Sequence, residues 1–208
     1  MSVVGCDACP QGWVAVELNE SRFARAVVQA EFEAVLAAFP RAEAVGVDIP
    51  IGLPESGWRP ADLEARRFIG RRWPSVFRTP TRALLETPWS PGLGISLQAH
   101  GMGRRIFEVE RVADGRVREV HPEVSFRELA GAPLAHSKRT WNGQQERLRL
   151  LGRAGVRPPP RLEGAGQMPA DDLIDAAVVA WSAQRIALGQ ALSFPARAPA
   201  RARCVIWR

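Results

Sequence analysis

The chain has 208 residues and a formal net charge of +6 at pH 7. This length allows one domain with a large core, and we expect a single domain over residues 1–208. No run of about 18 apolar residues occurs, which predicts that no helix spans a membrane. The N-terminus lacks the basic and apolar segments of a signal peptide, so we expect a cytoplasmic protein.

The basic charge is carried almost entirely by arginine, since Lys138 is the only lysine. Arginine binds phosphate through two parallel hydrogen bonds, so this composition favours an anionic partner such as nucleic acid. A GC-rich coding bias would produce the same preference for arginine, and composition alone leaves both explanations open.

Two short apolar runs share one pattern, in which glycine stands two places before a final aspartate. They are residues 3–7 and 44–48. Side chains alternate along a strand, so Gly5 and Asp7 lie on one face, and the same holds for Gly46 and Asp48. If the two strands are parallel neighbours, both aspartates lie at the carboxyl edge of the sheet, where α/β proteins bind ligands, and the glycines leave room beside them. The alternative is that each aspartate only begins a turn.

Cys6, in the first run, and Cys9, just after it, form a C-x-x-C pattern. Redox chemistry favours such a pattern at the start of a helix, and a zinc site needs further ligands. With three cysteines in the chain, we interpret this pair as small core residues at a strand end.

The segment between the two runs predicts two further strands and one helix. The strands are expected at residues 13–18 and 25–30, and the helix at 31–39, where apolar residues recur at helical spacing. The helix then returns the chain to a strand parallel to the first. The predicted order is β-β-β-α-β.

Residues 55–95 differ in composition from the rest of the chain, because arginines are interleaved with tryptophan and phenylalanine. We predict a helix at 60–72 followed by extended chain, forming an inserted arm. Such mixing suits base stacking and phosphate contact in single-strand binding. It equally suits a helical hairpin whose aromatic side chains pack on the core. Beyond the arm we expect helices at 95–112 and 141–154 and a strand at 116–120.

Three more acids lie beside predicted strands and helices where a functional site could form. Glu123 follows the strand at 116–120, and Asp172 and Asp175 share one face of an apolar, late helix. A buried Asp175 would cost several kcal/mol unless a cation or a donor met it. His121, close to Glu123, could move a proton.

Clustered carboxylates repel one another, and a hard divalent cation relieves this repulsion. Ligands that are all oxygen favour Mg²⁺ or Mn²⁺ over zinc. Two such ions about 4 Å apart would polarise a phosphodiester and hold the attacking water. The acids therefore predict a metal site for phosphodiester hydrolysis.

Several motifs together resemble the predicted-nuclease family known as domain of unknown function 429, which has a ribonuclease H-like fold. They are Gly5-x-Asp7 with Gly12-Trp13, Val47-Asp48-x-Pro50-x-Gly52-Leu53-Pro54, Ser75-Val76-Phe77, His121-Pro122-Glu123-Val124-Ser125-Phe126 and Asp171-Asp172-x-x-Asp175-Ala176. The last motif also resembles the final helix of Holliday-junction resolvases. The resemblance implies an α/β fold, with a ribonuclease H-like mixed five-stranded sheet, flanking helices and the inserted arm. It further implies that Asp7, Asp48 and Asp175 are metal ligands, that Asp172 supports them, and that Glu123 belongs to the narrower family pattern.

We therefore expect a metal-dependent nuclease acting on DNA or RNA. Asp7 and Asp48 would bridge the ions, while Glu123 and Asp175 would complete their ligand shells. The residues expected to hold the phosphates are Arg66, Arg71, Arg78, Arg82 and Lys138. The alternatives are a nucleic-acid-binding protein without catalysis and a nucleotide-dependent phosphotransferase; the latter would need two such domains and a glycine-rich phosphate loop.

Overall fold

The computed structural model describes residues 1–196, 198 and 202–208. Its strands are β1 (Ser2–Cys9), β2 (Gly12–Asn19), β3 (Arg22–Gln29), β4 (Ala44–Val47), β5 (Val117–Glu119), β6 (Ser193–Phe194) and β7 (Ile206–Trp207). Its α-helices are α1 (Phe32–Ala38), α2 (Pro60–Ile69), α3 (Arg82–Glu86), α4 (Leu97–Gly101), α5 (Gly103–Val112), α6 (Pro122–Ala130), α7 (Trp141–Arg153) and α8 (Ala170–Ala187). Two 3₁₀ helices occupy Gly70–Ser75 and Gly164–Gln167.

The main sheet has five strands in the order β3-β2-β1-β4-β5. β1 pairs with β2 in antiparallel orientation, through a hairpin that turns at Pro10 and Gln11. β4 runs parallel to β1, with Gly5 opposite Gly46, and β5 runs parallel to β4. The predicted β-β-β-α-β order and the parallel pairing of the two glycine-bearing strands are confirmed.

Helices cover both faces of this sheet because its central strands are apolar on both sides. Val4 and Cys6 of β1 belong to the core beneath α1 and α5. Val3 belongs to the core formed with α6, α7 and α8. Since side chains alternate, Gly5 and Asp7 lie on the same face as Val3, which is the face that α8 covers.

The glycines before the aspartates are required by α8. A Cβ on Gly5 would come within 2.0 Å of the backbone nitrogen of Ala180 and within 2.3 Å of the carbonyl oxygen of Ala176. A Cβ on Gly46 would meet Val179 at 2.8 Å. The expectation that these glycines leave room beside the aspartates was wrong, because the α8 backbone fills that space.

Two predicted helices differ from the structure. The helix expected at 60–72 ends at Ile69, because Gly70 has a φ of 62° and the chain then tightens into the 3₁₀ helix that contains Pro74. The helix expected at 95–112 is divided into α4 and α5. The break falls between Gly101 and Gly103, which are poor helix formers. Among the described residues, no helix has the length and apolarity needed to cross a membrane.

A buried ion triad fastens the predicted arm to the sheet. The guanidinium of Arg59 donates to Asp62 of α2 at 2.6 Å and to Glu119 of β5 at 2.6 Å and 2.8 Å. All three side chains are at most 5 % exposed. Glu119 also accepts a hydrogen bond from the backbone N–H of Ile51, so the start of the arm is tied to the edge strand β5.

We predict that Gly5→Ala destabilises the protein by about 1–3 kcal/mol or more, because the new methyl group overlaps backbone atoms that cannot rotate away. Gly152→Ala is the matched control. Gly152 lies in α7 with open space where a Cβ would stand, so alanine should stabilise the protein by about 0.5–1 kcal/mol. Urea unfolding of both variants measures the two effects. Equal stability of Gly5→Ala and the wild type would contradict the proposed contact.

Candidate functional site

Asp7 and Asp48 lie where the parallel pairing of β1 with β4 ends, after Cys6 and Val47. The expectation that the first strand ends at Asp7 was wrong, because pairing with β2 extends β1 to Cys9. The backbone N–H of Asp48 donates to the carbonyl oxygen of Cys6 at 3.0 Å, which continues the parallel pairing one residue beyond β4. The carboxylate of Asp7 is 7 % exposed and accepts a hydrogen bond from the N–H of Ala8 at 2.8 Å. The predicted meeting of these two aspartates at the carboxyl edge of the sheet is consistent with this geometry.

Asp175 is brought to the same place by α8. It directly precedes Ala176, whose carbonyl oxygen is one of the atoms that α8 presents to Gly5. Its side chain is 2 % exposed and accepts a hydrogen bond from Lys138 Nζ at 2.5 Å. The sequence predicted that a cation or a donor would meet a buried Asp175, and the ammonium of Lys138 is both.

Glu123 belongs to the first turn of α6 and is buried. It forms an ion pair with Arg147 of α7, a fully buried arginine that also donates to the carbonyl oxygens of His136 and Gly143. Sequence reasoning missed Arg147. A usable signal was present, because Gly143, Arg147 and Leu151 follow one another at i, i+4 spacing on the buried face of α7.

Burial and mutual repulsion disturb the titration of these acids. Burial, followed by the charges of Asp48 and Asp175, raises the pKa of Asp7 well above its ordinary value. Burial raises the pKa of Asp48 and that of Asp175 to about 7, against the opposing effect of Lys138 and with a further rise from Glu123. The pKa values show that these carboxylates share one electrostatic environment.

Asp172 lies at the margin of this cluster. Burial, followed by the charge of Asp171, raises its pKa to about 6, and Lys138 opposes the rise. Asp172 and Asp175 lie on one face of α8, as predicted, and Asp172 contributes to the raised pKa of Asp7.

Lys138 is the single ammonium facing the cluster. Burial lowers its pKa, but the charges of Asp175, Asp7 and Asp48 outweigh this effect and raise the pKa above its ordinary value. Lys138 therefore stays protonated at neutral pH.

The donor set suits a hard divalent cation, since it consists of carboxylate oxygens that repel one another. The positions of these carboxylate groups in the structure are less suitable for binding a metal ion. Within residues 1–196, 198 and 202–208, no three His, Cys, Asp or Glu side chains are arranged to hold a metal ion. The ammonium of Lys138 lies against Asp175, so the acid cluster in this conformation is balanced by a lysine.

A cavity of about 670 Å³ opens beside the cluster. Its acidic lining residues are Asp48, Glu123 and Asp175. Its basic lining residues are Arg71, Arg72, Lys138 and Arg139. A negatively charged ligand in this cavity would meet arginines at the same time as it reached the acids.

The five residues predicted to hold phosphates divide into two groups. Arg71 and Lys138 line the cavity. The other three make internal contacts: Arg66 lies over the rings of Trp58 and Trp73, Arg78 donates to Gly94, and Arg82 pairs with Glu110 and Glu86.

Two cavity arginines, Arg72 and Arg139, were not selected from the sequence. Within the described part of the chain, the guanidinium groups of Arg71, Arg72 and Arg139 form no ion pair or hydrogen bond, so they are available to a ligand. Sequence spacing could not separate them from arginines that are occupied elsewhere.

His121 lines the cavity and its Nε2 lies 3.2 Å from the carbonyl oxygen of Ser75. Burial lowers its pKa, so the ring is neutral at neutral pH. Its Nδ1 is buried without a hydrogen-bond partner among the described residues. The ring is thus in a form that could accept a proton.

Cys6 and Cys9 are buried free thiols in β1, and Cys204 is also a free thiol. Burial raises the pKa of Cys6 and that of Cys9 above their ordinary value, which disfavours the reactive thiolate. Their place in the strand supports the interpretation as core residues.

The family description for proteins of unknown function, DUF429, matches residues 5–200. The chain belongs to the DUF429 family. Comparison with curated proteins and with solved structures gives no match. The DUF429 resemblance noted from the motifs is therefore confirmed, while the family description itself carries no activity.

The raised pKa values predict an unusual pH dependence of stability. The unfolded chain releases the protons of Asp48 and Asp175 near pH 4, whereas the folded chain releases them near pH 7. Between these pH values the folded state therefore binds more protons than the unfolded state. The stabilisation contributed by the two carboxyl groups falls as the pH rises from 4 to 7. Each group lowers the free energy of unfolding by at most about 1.4 kcal/mol per pH unit, and the effect is smaller for the partly exposed Asp48.

We predict that Asp48→Asn increases the free energy of unfolding at pH 8 and weakens its decline between pH 5 and 7. Urea unfolding at several pH values measures both. Asp114→Asn is the matched control, because Arg116 lowers the pKa of Asp114, so this variant should gain no stability at high pH. A pH profile of Asp48→Asn identical to that of the wild type would contradict the shared electrostatic environment.

Proposed function

We propose that this DUF429 protein is a metal-dependent nuclease with a ribonuclease H-like fold. The observation that carries the proposal is the cavity, in which an acid cluster and three unpaired arginines occur together. The order of three antiparallel strands, a crossover helix and a parallel fourth strand supports the fold assignment.

In this proposal Asp7, Asp48 and Asp175 would hold Mg²⁺ or Mn²⁺, with Asp172 and Glu123 beside them. The bound metal would polarise the phosphodiester and activate a water molecule. Lys138 pairs with Asp175 and Arg147 pairs with Glu123, whereas Asp7, Asp48 and Asp172 form no ion pair among the described residues.

The chain's basic residues would bind and orient the substrate. Arg71, Arg72 and Arg139 would hold backbone phosphates on the approach to the acids. Neutral His121 lines the cavity and would accept a proton from the attacking water if that water reached its buried Nδ1.

A second candidate function is nucleic-acid binding without hydrolysis. The contact of Lys138 with Asp175 favours it, because a fixed ammonium can balance the acids without any metal. In that case Lys138 would be a permanent counter-charge, and Mg²⁺ would affect neither the acid cluster nor ligand binding.

We predict that Asp7→Asn lowers Mg²⁺-dependent hydrolysis of oligonucleotides by about a hundredfold or more, since a bound metal supplies several kcal/mol of transition-state stabilisation. Hydrolysis of a panel of DNA and RNA oligonucleotides by wild type and variant gives the measurement. Glu33→Gln, an exposed acid of α1 on the other face of the sheet, is the control and should keep full activity. Full metal-dependent activity in Asp7→Asn would remove this residue from the site.

We predict that Lys138→Met increases Mn²⁺ affinity by at least about tenfold, because it removes a positive charge from the place that a cation would approach. Calorimetric titration of MnCl₂ into the protein without substrate measures this affinity. Lys138→Arg keeps the charge and should bind no better than the wild type. If Lys138→Met gains no affinity, the ammonium does not compete with a metal, and the second candidate function is favoured.

A further inference from the structure

Two separate segments carry the basic residues of the cavity, of which Lys138 is paired with Asp175 and the three arginines form no ion pair among the described residues. Arg71 and Arg72 belong to the 3₁₀ helix Gly70–Ser75, and Lys138 and Arg139 precede α7. Both segments line the cavity that also contains the acids. A polyanion passing between them would be contacted from two parts of the chain.

Each of these segments also exposes a tryptophan. Trp73 lies between the cavity-lining residues Arg72 and Pro74, and its side chain is 48 % exposed. Trp141 comes two residues after Arg139 and is 73 % exposed. An exposed tryptophan offers a large aromatic face on which a base can stack.

Internal contacts hold Trp73 in position. The guanidinium of Arg66 lies 4.1 Å from the centre of the Trp73 ring and 4.7 Å from the centre of the Trp58 ring. Arg66 also donates to the carbonyl oxygen of Val76. Arg66 was expected to bind phosphate, but these contacts make it a positioning residue that supports Trp73.

We infer that the cavity receives single-stranded nucleic acid, and that Trp73 and Trp141, which stand next to its basic lining residues in the sequence, are stacking platforms for bases that extend beyond the cavity. The inference deepens the proposed function and rests on its nucleic-acid substrate. It does not depend on hydrolysis.

The occurrence of unpaired arginines near exposed aromatic rings in the sequence favours a single strand over a duplex. Arginine can hold the phosphates of either form, but the ring of a tryptophan can stack only on a base whose face is free. In a duplex the base faces are covered by their neighbours, so exposed tryptophans would gain little there.

The test is fluorescence anisotropy with a labelled single-stranded oligonucleotide and a labelled duplex, both in EDTA so that no cleavage occurs. We expect the wild type to prefer the single strand. Trp73→Ala and Trp141→Ala should each weaken single-strand binding by about 5-fold to 150-fold, because stacking contributes about 1–3 kcal/mol per base. Their effect on duplex binding should be much smaller.

Three variants act as controls. Trp73→Phe and Trp141→Phe keep an aromatic ring and should restore most of the lost affinity. Leu188→Ala removes an exposed apolar side chain at the other end of α8 from Asp175 and should leave binding unchanged. Circular dichroism of each variant verifies that it is folded.

Equal or tighter binding of the duplex by the wild type would overturn the inference, and so would unchanged single-strand binding in both alanine variants. Binding of neither oligonucleotide would overturn it as well. If the single-strand preference and the tryptophan effects are present but no substrate is cleaved in Mg²⁺, the interface is supported and the nuclease assignment fails.

Discussion

The contact between α8 and the two glycine-bearing strands is the constraint on which the site depends. α8 approaches Gly5 so closely that any side chain there would overlap the backbone at Ala176 and Ala180. Asp175 precedes one of these contact residues, and Asp7 lies on the same face of β1 as Gly5. The glycines and the acids are therefore linked: the absence of a side chain at Gly5 allows the helix to deliver its carboxylate to the end of the strand.

The clustered acids repel one another, and ion pairs within the chain offset only part of this repulsion. Lys138 pairs with Asp175, and Arg147 pairs with Glu123, so two carboxylates have a fixed partner. Asp7 and Asp48 have no ion-pair partner among the described residues, and their pKa values are raised. The remaining repulsion is concentrated at Asp7 and Asp48, where the parallel pairing of β1 with β4 ends, and an added cation would gain the most there.

The sequence contained the local order of the fold but not every contact that completes the site. The repeated pattern ending at Asp7 and Asp48 correctly indicated two parallel neighbouring strands, because side-chain alternation is a local property and a crossover helix returns the chain in the same direction. The requirement of a cation for Asp175 was also recognised from the apolar surroundings of α8. Lys138 could not be identified as that cation, since it is separated from Asp175 by α7 and a long loop, and only tertiary packing brings the two together.

The arginines of the arm show why composition could not identify the binding residues. Arg59 is buried in the triad that ties the arm to β5, and Arg66 supports Trp73 by stacking. These structural arginines hold the 3₁₀ helix in place, and Arg71 and Arg72 of that helix then reach the cavity without partners of their own. Residues of one type thus perform two tasks that depend on each other, because the free guanidinium groups can face a ligand only if the buried ones fix the segment that carries them.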